Sequence, residues 1–449
     1  MSQGIIDGVK EAGVVGAGGA GFPTHVKLKA RVERVLGNGA SCEPLLVSDP
    51  YLIWHETDRL LRGLRLVMEC TGAVQGTLCL KGKHREAMAA AREKAGKGPF
   101  QGIDVFELGD FYPAGDEQVL VYEVMKRVVP EGGLPLQVGA IVSNVESLLN
   151  IARAVDEKKP VVDRYLTVGG EVARPCILKV PIGLSVGEVI DLAGGALITD
   201  YKVVLGGPMM GQVVSDLAAP VTKTTSGILV LAPDHPVVAD KIKDPDRLRN
   251  ITRLACCQCS RCTDLCPRSL LGHPLAPHKI MRQLGSPTKA ALEVQEDTLI
   301  CSECGVCEKY ACPMMISPRE VNAQIKRSLL AQGIKRSPKG EAYQPSAFRE
   351  GRKIPTKRLM ERLQIGRYDV HPHFLPLEVR TDRVRIPLKQ HLGAPAVAMV
   401  KPGDRVKKGD LLGEIPEKAL GARIHASLDG RVVSVGETVV IKHVSSGER

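Results

Sequence analysis

Apolar positions at Ile5, Ile6 and Val9, running into residues 10–12, have the spacing of a short amphipathic helix. Near residue 144 the helical period returns, and Asn144 stands where it can cap a helix over 145–154. The pattern then shifts to strands at 165–170 and 176–181. A helix follows over 185–193: Ser185 is its N-cap, Glu188 is the capping-box partner three residues on, and Gly194 stops it. This strand, strand, helix order suggests a small β-grasp module. The turn at 206–211, Gly-Gly-Pro-Met-Met-Gly, is expected to lie near the cysteine-rich region that comes after it. From about 380 to 443 the chain is short strands and tight turns, and 400–410 and 426–432 read like the two hairpins of a lipoyl-type flattened barrel. Lys418 lies near a hairpin tip, where carrier domains attach lipoate or biotin. It lacks the flanking residues of such sites and is expected to be structural.

At 449 residues the chain exceeds a single core, and length alone suggests about three domains. No leader-peptide pattern and no apolar run of membrane-spanning length is visible. Thirteen cysteines, an odd number, include five scattered ones (Cys42, Cys70, Cys79, Cys176 and Cys257), as in a reduced cytosolic protein without a disulfide framework.

The other eight carry chemistry. Cys256-x2-Cys259-x2-Cys262-x3-Cys266-Pro267 is followed by Cys301-x2-Cys304-x2-Cys307-x4-Cys312-Pro313. Three thiolates spaced in this way wrap one face of a cubane, and a remote cysteine before proline closes the cage. In two-cluster ferredoxins that fourth cysteine ligates the other cluster. One [4Fe–4S] cluster is therefore assigned to Cys256, Cys259, Cys262 and Cys312, and a second to Cys301, Cys304, Cys307 and Cys266. Structural zinc, which takes two CxxC pairs and four ligands, fits two CxxCxxC triplets poorly.

The net charge of +11 has a local source. Residues 326–367 hold twelve Lys or Arg (326, 327, 335, 336, 339, 349, 352, 353, 357, 358, 362 and 367) against Glu341, Glu350 and Glu361, a surplus of nine. Only Tyr343 and Phe348 could stack on bases, so nucleic acid is not the expected partner. The stretch reads as a solvated linker packed along acidic surface. A docking strip for an acidic partner or an anionic cofactor is the alternative.

Gly16-Ala-Gly18-Gly19-Ala-Gly21-Phe22-Pro23-Thr24 contains a G-x-G-x-x-G pattern, with Glu43 about twenty residues on. A dinucleotide fingerprint needs a strand before the glycines and a helix straight after them. Here an amphipathic helix precedes the glycines, and Pro23 interrupts the place where the phosphate-binding helix would begin. The context argues for another glycine-rich cradle whose N–H groups approach a phosphate.

Gly16 to Lys27 resembles the flavin loop of the NADH-binding subunit of respiratory complex I, and more closely that of the RnfC subunit of ion-translocating ferredoxin oxidoreductases. Asn38-Gly-Ala-Ser-Cys42-Glu43-Pro44 is similar to the family's N-x-x-x-x-E-P segment. Tyr112-Pro-Ala-Gly115-Asp116-Glu117-Gln118 resembles its nicotinamide loop. Ser143-Asn144-Val145-Glu146-Ser147 resembles the N-N-V-E-T element, with serine in place of the first Asn and of the Thr. The resemblance implies FMN held by Gly16, Gly18, Gly19 and Gly21, with Lys27 near its phosphate and Asn38, Glu43 and Asn144 as hydrogen-bonding residues. Phe22, Tyr112 and Glu117 would contact NADH, although Tyr112 and Phe22 also fit core aromatics.

The implied fold is multidomain α/β and α+β. A flavin/NADH-binding α/β domain (1–158) is followed by a β-grasp module (159–235) and a two-cluster ferredoxin-like α domain (245–330). A basic linker (331–379) leads to a lipoyl-like barrel-sandwich β domain (380–449). RnfC proteins carry that barrel at the N-terminus. Its place at the C-terminus resembles the cobalamin-reductase branch of the family, that of propanediol-utilization microcompartments. The branch implies hydride transfer from NADH to FMN, single electrons to the first and second clusters, and reduction of cobalamin from Co(III) to Co(II) and Co(I). It also implies a corrinoid adenosyltransferase and microcompartment proteins as partners. No D-x-H-x-x-G corrinoid signature is present, and no side chain is needed as a general acid or base. A diaphorase with another one-electron acceptor and a non-catalytic electron-wiring subunit remain as alternatives.

Overall fold

The computed structural model describes residues 2–242, 244–285, 291–336 and 343–444. Its first domain is built on a parallel sheet in the order Ile103–Leu108, Gln75–Lys81, Arg34–Gly39, Ala140–Asn144. Helices cover the sheet, so its central strands are buried almost throughout, as a parallel sheet requires. Ile5, Ile6 and Val9 are the buried stripe of the Ser2–Glu11 helix, as their spacing predicts. Two helices, Thr57–Thr71 and Val145–Asp156, pack together at Gly63. A Cβ on Gly63 would lie 2.0 Å from the Leu148 carbonyl oxygen, so only glycine permits this approach. From Arg34–Gly39 the chain moves to one side of the sheet and later returns on the other with Ala140–Asn144. The strand order therefore reverses between these two, and their carboxyl ends form the crevice where such sheets bind ligands.

The second domain is a six-stranded sheet in the order His373–Phe374, Cys176–Pro181, Asp163–Gly170, Gly227–Leu231, Lys202–Leu205, Gln212–Val214. Both halves of the expected capping box are made: Ser185 Oγ accepts from the Glu188 N–H (3.2 Å), and Glu188 accepts from the Ser185 N–H (3.0 Å). The Val186–Leu192 helix ends at Gly194, whose φ of 87° is left-handed.

The basic stretch lies along acidic surface, as expected, and is held there more firmly than a solvated linker would be. It is a strap laid across three domains, and acidic side chains hold it at intervals. Arg336 pairs with Glu131 and Asp297, Arg349 and Lys353 pair with Glu123, and Arg367 pairs with Glu171. Its Ile354–Pro355 strand pairs with Phe111–Tyr112 of the first domain, and His373–Phe374 is an edge strand of the second. Lys339 and Glu341 lie outside the described residues.

The C-terminal domain packs two small antiparallel sheets. One has the order Arg383–Pro387, Thr438–His443, Gly430–Val435, Arg405–Val406, and the other the order Val397–Ala398, Leu411–Glu414, Ile424–His425. Two similar turns shape the first hairpin region. In each, an Asp carboxylate (Asp404, Asp410) accepts at 2.7 Å from the N–H three residues back, and Gly403 and Gly409 take left-handed φ. Val384, Ile386, Val439 and Ile441 join one core with Ile5, Val9 and Val14, so the last domain rests on the first. Lys418 is exposed at a turn. Among the described residues no helix is long and apolar enough to cross a membrane.

Candidate functional site

Asn38 and Asn144 are register partners at the carboxyl ends of the two strands that flank the switch point. Asn38 Nδ2 donates to the Gly115 carbonyl (2.9 Å), bringing the 112–118 segment over the crevice. Asn144 caps its helix by accepting from the Glu146 N–H (2.9 Å), and its amide donates to Asp49 (3.2 Å), whose carboxyl burial pushes up to about 6. Lys27 reaches the same edge. Its ammonium donates to the Val142 carbonyl (2.8 Å) and lies 3.9 Å from Glu117.

The glycine loop closes above this edge. The Gly16 N–H donates to the Phe22 carbonyl (2.9 Å), Val15 bridges Pro23, and Gly18 to Ala20 form an exposed tip. Gly19 and Gly21 take left-handed φ of 115° and 65°. A Cβ on Gly18 would rest 3.6 Å from the Asn144 Cβ, and one on Gly19 would meet nothing, so the cradle is open at its tip. The glycines follow a helix and a single bridge, with no strand before them, so this is not the dinucleotide fingerprint. An open glycine tip, a lysine and two amides at a switch point fit a phosphate-bearing planar cofactor such as FMN.

A buried network that the sequence reading missed holds the loop from behind. Ser147 Oγ accepts from the Ala17 N–H (2.8 Å), so the serine that departs from the family motif still serves the loop. Arg164, from the second domain, donates to Glu146 (2.5 Å), to the Ala17 carbonyl (2.9 Å) and to the Thr225 carbonyl (2.6 Å). Glu146 also accepts from the Tyr165 N–H (3.1 Å).

Two predicted positions act differently from the expectation. Tyr112 is 2% exposed, and its hydroxyl donates to the Cys304 carbonyl (2.7 Å), so it is a core strut against the cysteine domain and offers no face to a nucleotide. Glu43 accepts from the N–H groups of Met209 and Met210 (2.8 Å each), which ties the flavin-domain segment to the 206–211 turn. Burial holds its carboxyl above the usual range despite those donors and nearby Lys241. Phe22 is half-buried, and Glu117 is half exposed at the start of the Glu117–Met125 helix.

The eight cysteines form two rings. Cys266, Cys301, Cys304 and Cys307 line one small pocket, and Cys256, Cys259, Cys262 and Cys312 line another. The grouping is the crossed one, with each remote cysteine facing the other triplet. Among the described residues no three Cys, His, Asp or Glu side chains are placed to hold a single metal ion, as a zinc tetrahedron would require. Burial pushes the Cys262, Cys266 and Cys304 thiols up to about 12, so a metal must displace their protons. The Glu303 N–H donates to Cys301 Sγ (3.4 Å), the kind of bond that tunes a cluster's potential.

The Cys301 ring is the inner one. Besides Tyr112, Asp116 reaches it through a bidentate pair with Arg268 (2.7 and 2.9 Å), two residues beyond Cys266. The Met209 side chain lies 3.4 Å from where a Cβ on Gly305 would sit, confirming that the 206–211 turn adjoins the cysteines. The Cys256 ring is the outer one, with Cys259 exposed.

Comparison with known proteins agrees with this layout. The Nuo51 FMN-binding domain matches residues 9–153, the SLBB domain 165–213, the 4Fe-4S dicluster domain 255–317 and the RnfC barrel sandwich hybrid domain 375–447. The chain is 44% identical to the cobalamin reductase PduS of Salmonella typhimurium, covering 97% of this chain and 95% of that one. It is 42% identical to the cobalamin reductase PduS of Citrobacter freundii over the same shares. One subunit of the Na(+)-translocating ferredoxin:NAD(+) oxidoreductase complex of Acetobacterium woodii is 36% identical over 58% of this chain and 56% of its own. An air-oxidized NAD+-reducing [NiFe]-hydrogenase shares the fold at a TM-score of 0.50 and 22% identity, covering 82% of this chain and 66% of that one.

Proposed function

The chain belongs to the cobalamin reductase PduS family, and from that membership we propose that it carries electrons from NADH to cobalamin, reducing Co(III) to Co(II) and Co(I). Bound FMN would supply the conversion of a hydride pair into single electrons, and two [4Fe–4S] clusters the path for them. The glycine tip at Gly18 and Gly19, with Lys27, would hold the flavin phosphate, while Asn38 and Asn144 would hydrogen-bond the flavin at the strand ends. Glu43 would act through the Met209–Met210 backbone, fixing the crevice against the cysteine domain. Phe22 and Glu117, at the open side, would meet the nicotinamide nucleotide. Cys266, Cys301, Cys304 and Cys307 would ligate the inner cluster, and Cys256, Cys259, Cys262 and Cys312 the outer one. The observation that carries the reading is this geometry: one cysteine ring bonded to the flavin domain through Tyr112 and Asp116, the other opening to the surface at Cys259. The proposed setting is a propanediol-utilization microcompartment, where an adenosyltransferase would consume the reduced corrinoid.

The test is anaerobic titration of the purified protein with NADH, followed by hydroxocobalamin. Bleaching of flavin, then of the broad cluster absorbance, then growth of a Co(II) or Co(I) spectrum supports the reading. Reduction of flavin and clusters without a cobalt signal leaves a diaphorase with another acceptor. No response to NADH leaves an electron-wiring subunit.

A further inference from the structure

We infer that the corrinoid docks on an apolar collar around the outer cysteine ring, its flat macrocycle against Leu254 and Met315 and its phosphodiester beside Arg253 and Arg261. The inference rests on the reading of cobalamin as the acceptor. Leu254 is 82% exposed and Met315 64%, and Ile251 and Met314 are about half exposed. These positions come from two segments that meet at the outer ring. One ends two residues before Cys256, and the other begins straight after Cys312, where Pro313 and Met314 line the cavity itself. Large apolar side chains exposed in water close in sequence to the outer ring, whose Cys259 is the exposed ligand among the described residues, mark a recognition site.

Two cations flank the outer ring's cysteines, with Asp264 as an acid on the same short helix as Arg261. On the Pro245–Ala255 helix the acid Asp246 is confined to the first turn, while Arg253 stands in the last turn, next to the cysteines. Arg261 is exposed between Cys259 and Cys262. A corrinoid matches this surface: its macrocycle presents methyl-bearing faces, and its nucleotide loop carries one phosphodiester anion. A stable protein interface would need about 20 residues a side, far more than the four apolar side chains here. One-electron transfer needs close approach and no enclosure, which agrees with a chain that has no D-x-H-x-x-G segment to grip a corrinoid in the base-off form.

The test uses the holoprotein carrying Leu254→Gln together with Met315→Gln, and separately Arg253→Glu. NADH-driven reduction of hydroxocobalamin is followed for KM and kcat, with ferricyanide reduction and the EPR spectra of both clusters as controls. The double variant is expected to raise KM for cobalamin about tenfold, with kcat, ferricyanide reduction and the EPR spectra unchanged. Arg253→Glu is expected to raise KM by less, and the wild-type KM to rise with added salt. An unchanged KM in both variants overturns the inference while cobalamin reduction by the wild type stands. A wild type that reduces its clusters but not cobalamin overturns both readings together.

Discussion

Replacing Arg164 with methionine tests the buried network behind the glycine loop. The side chain is 4% exposed and Glu146 2%, so neither is helped by water. Methionine keeps the apolar stem but removes every donor, leaving a buried carboxylate and the carbonyls of Ala17 and Thr225 without their partner. Removing one member of a buried ion pair costs about 3–5 kcal/mol. The Tyr165 N–H still serves Glu146, and the carboxyl can take up a proton, so about 3 kcal/mol is expected here. Burial already holds the Glu146 carboxyl above the usual range, against the lowering effect of Arg164. Without Arg164 it rises further. A folded value above the unfolded one favours the protonated, folded form at low pH, and that advantage is lost as pH rises through the folded value. The variant should therefore be closest to wild type near pH 5 and weakest at pH 8. The assay is urea-induced flavin release at both pH values, with FMN affinity from fluorescence and iron content as control. FMN affinity should fall at least tenfold with iron retained, and adding Glu146→Gln should abolish the pH dependence. An Arg164→Met protein within about 1 kcal/mol of wild type, and independent of pH, would refute the reasoning.

Three further outcomes follow from single sites. Cys312→Ser should alter only the EPR signal of the outer cluster and Cys266→Ser only that of the inner one; the reverse result would undo the crossed grouping. Gly63→Val should abolish recovery of folded protein, because its Cβ would lie 2.0 Å from the Leu148 carbonyl oxygen, and normal circular dichroism and melting would contradict that. Lys223, buried between the first and last domains, donates to the Gly13 and Arg423 carbonyls (2.7 Å each), and burial lowers its ammonium to about 7. A lysine value lowered on folding makes protonation favour the unfolded chain, so stability should climb as pH rises from about 7 to about 10. Lys223→Met should flatten that climb in melting curves taken at pH 7, 8 and 9.

Local signals were the legible ones. The Ser2–Glu11 helix, the capping box at Ser185 and the Cys176–Pro181 strand depend on neighbours within a few residues, and all appear as read. The spacing of two marked each triplet as one face of a cubane, while the crossing of the remote cysteines was an expectation taken from two-cluster ferredoxins, with which the lining of the two pockets agrees. Asn144 fits its helix-capping role because an Asn before a helical period needs only its own backbone for a partner. Arg164 gave no such signal. In sequence it is one polar residue at the start of an apolar strand, and its value lies in Glu146 and Ala17, which only the packing of two domains brings near. The strap's acidic surface was expected, but its partners were hidden for the same reason. Twelve cations against three acids point to acidic surface but not to Glu123, Glu131 and Glu171, which stand some two hundred residues away.

Tyr112 links these failures to function. Its motif suggested a nucleotide contact, and its aromatic ring was equally suited to a core. What decides between them is a hydroxyl 192 positions from the carbonyl it meets, in a domain that the motif does not mention. That bond, with Asp116 to Arg268, sets which cysteine ring faces the flavin domain, and it selects the later triplet in the chain. The order of the triplets in sequence is thus the reverse of their order outward from the flavin domain. Chain order carries no information about this, because each ring borrows its fourth cysteine from the other segment and the pair could be docked by either end. At that junction two polar contacts are buried, and an unmatched hydroxyl or guanidinium there would be costly. With the later triplet turned inward, the earlier one is left at the surface, and the exposed Leu254 and Met315 stand beside it.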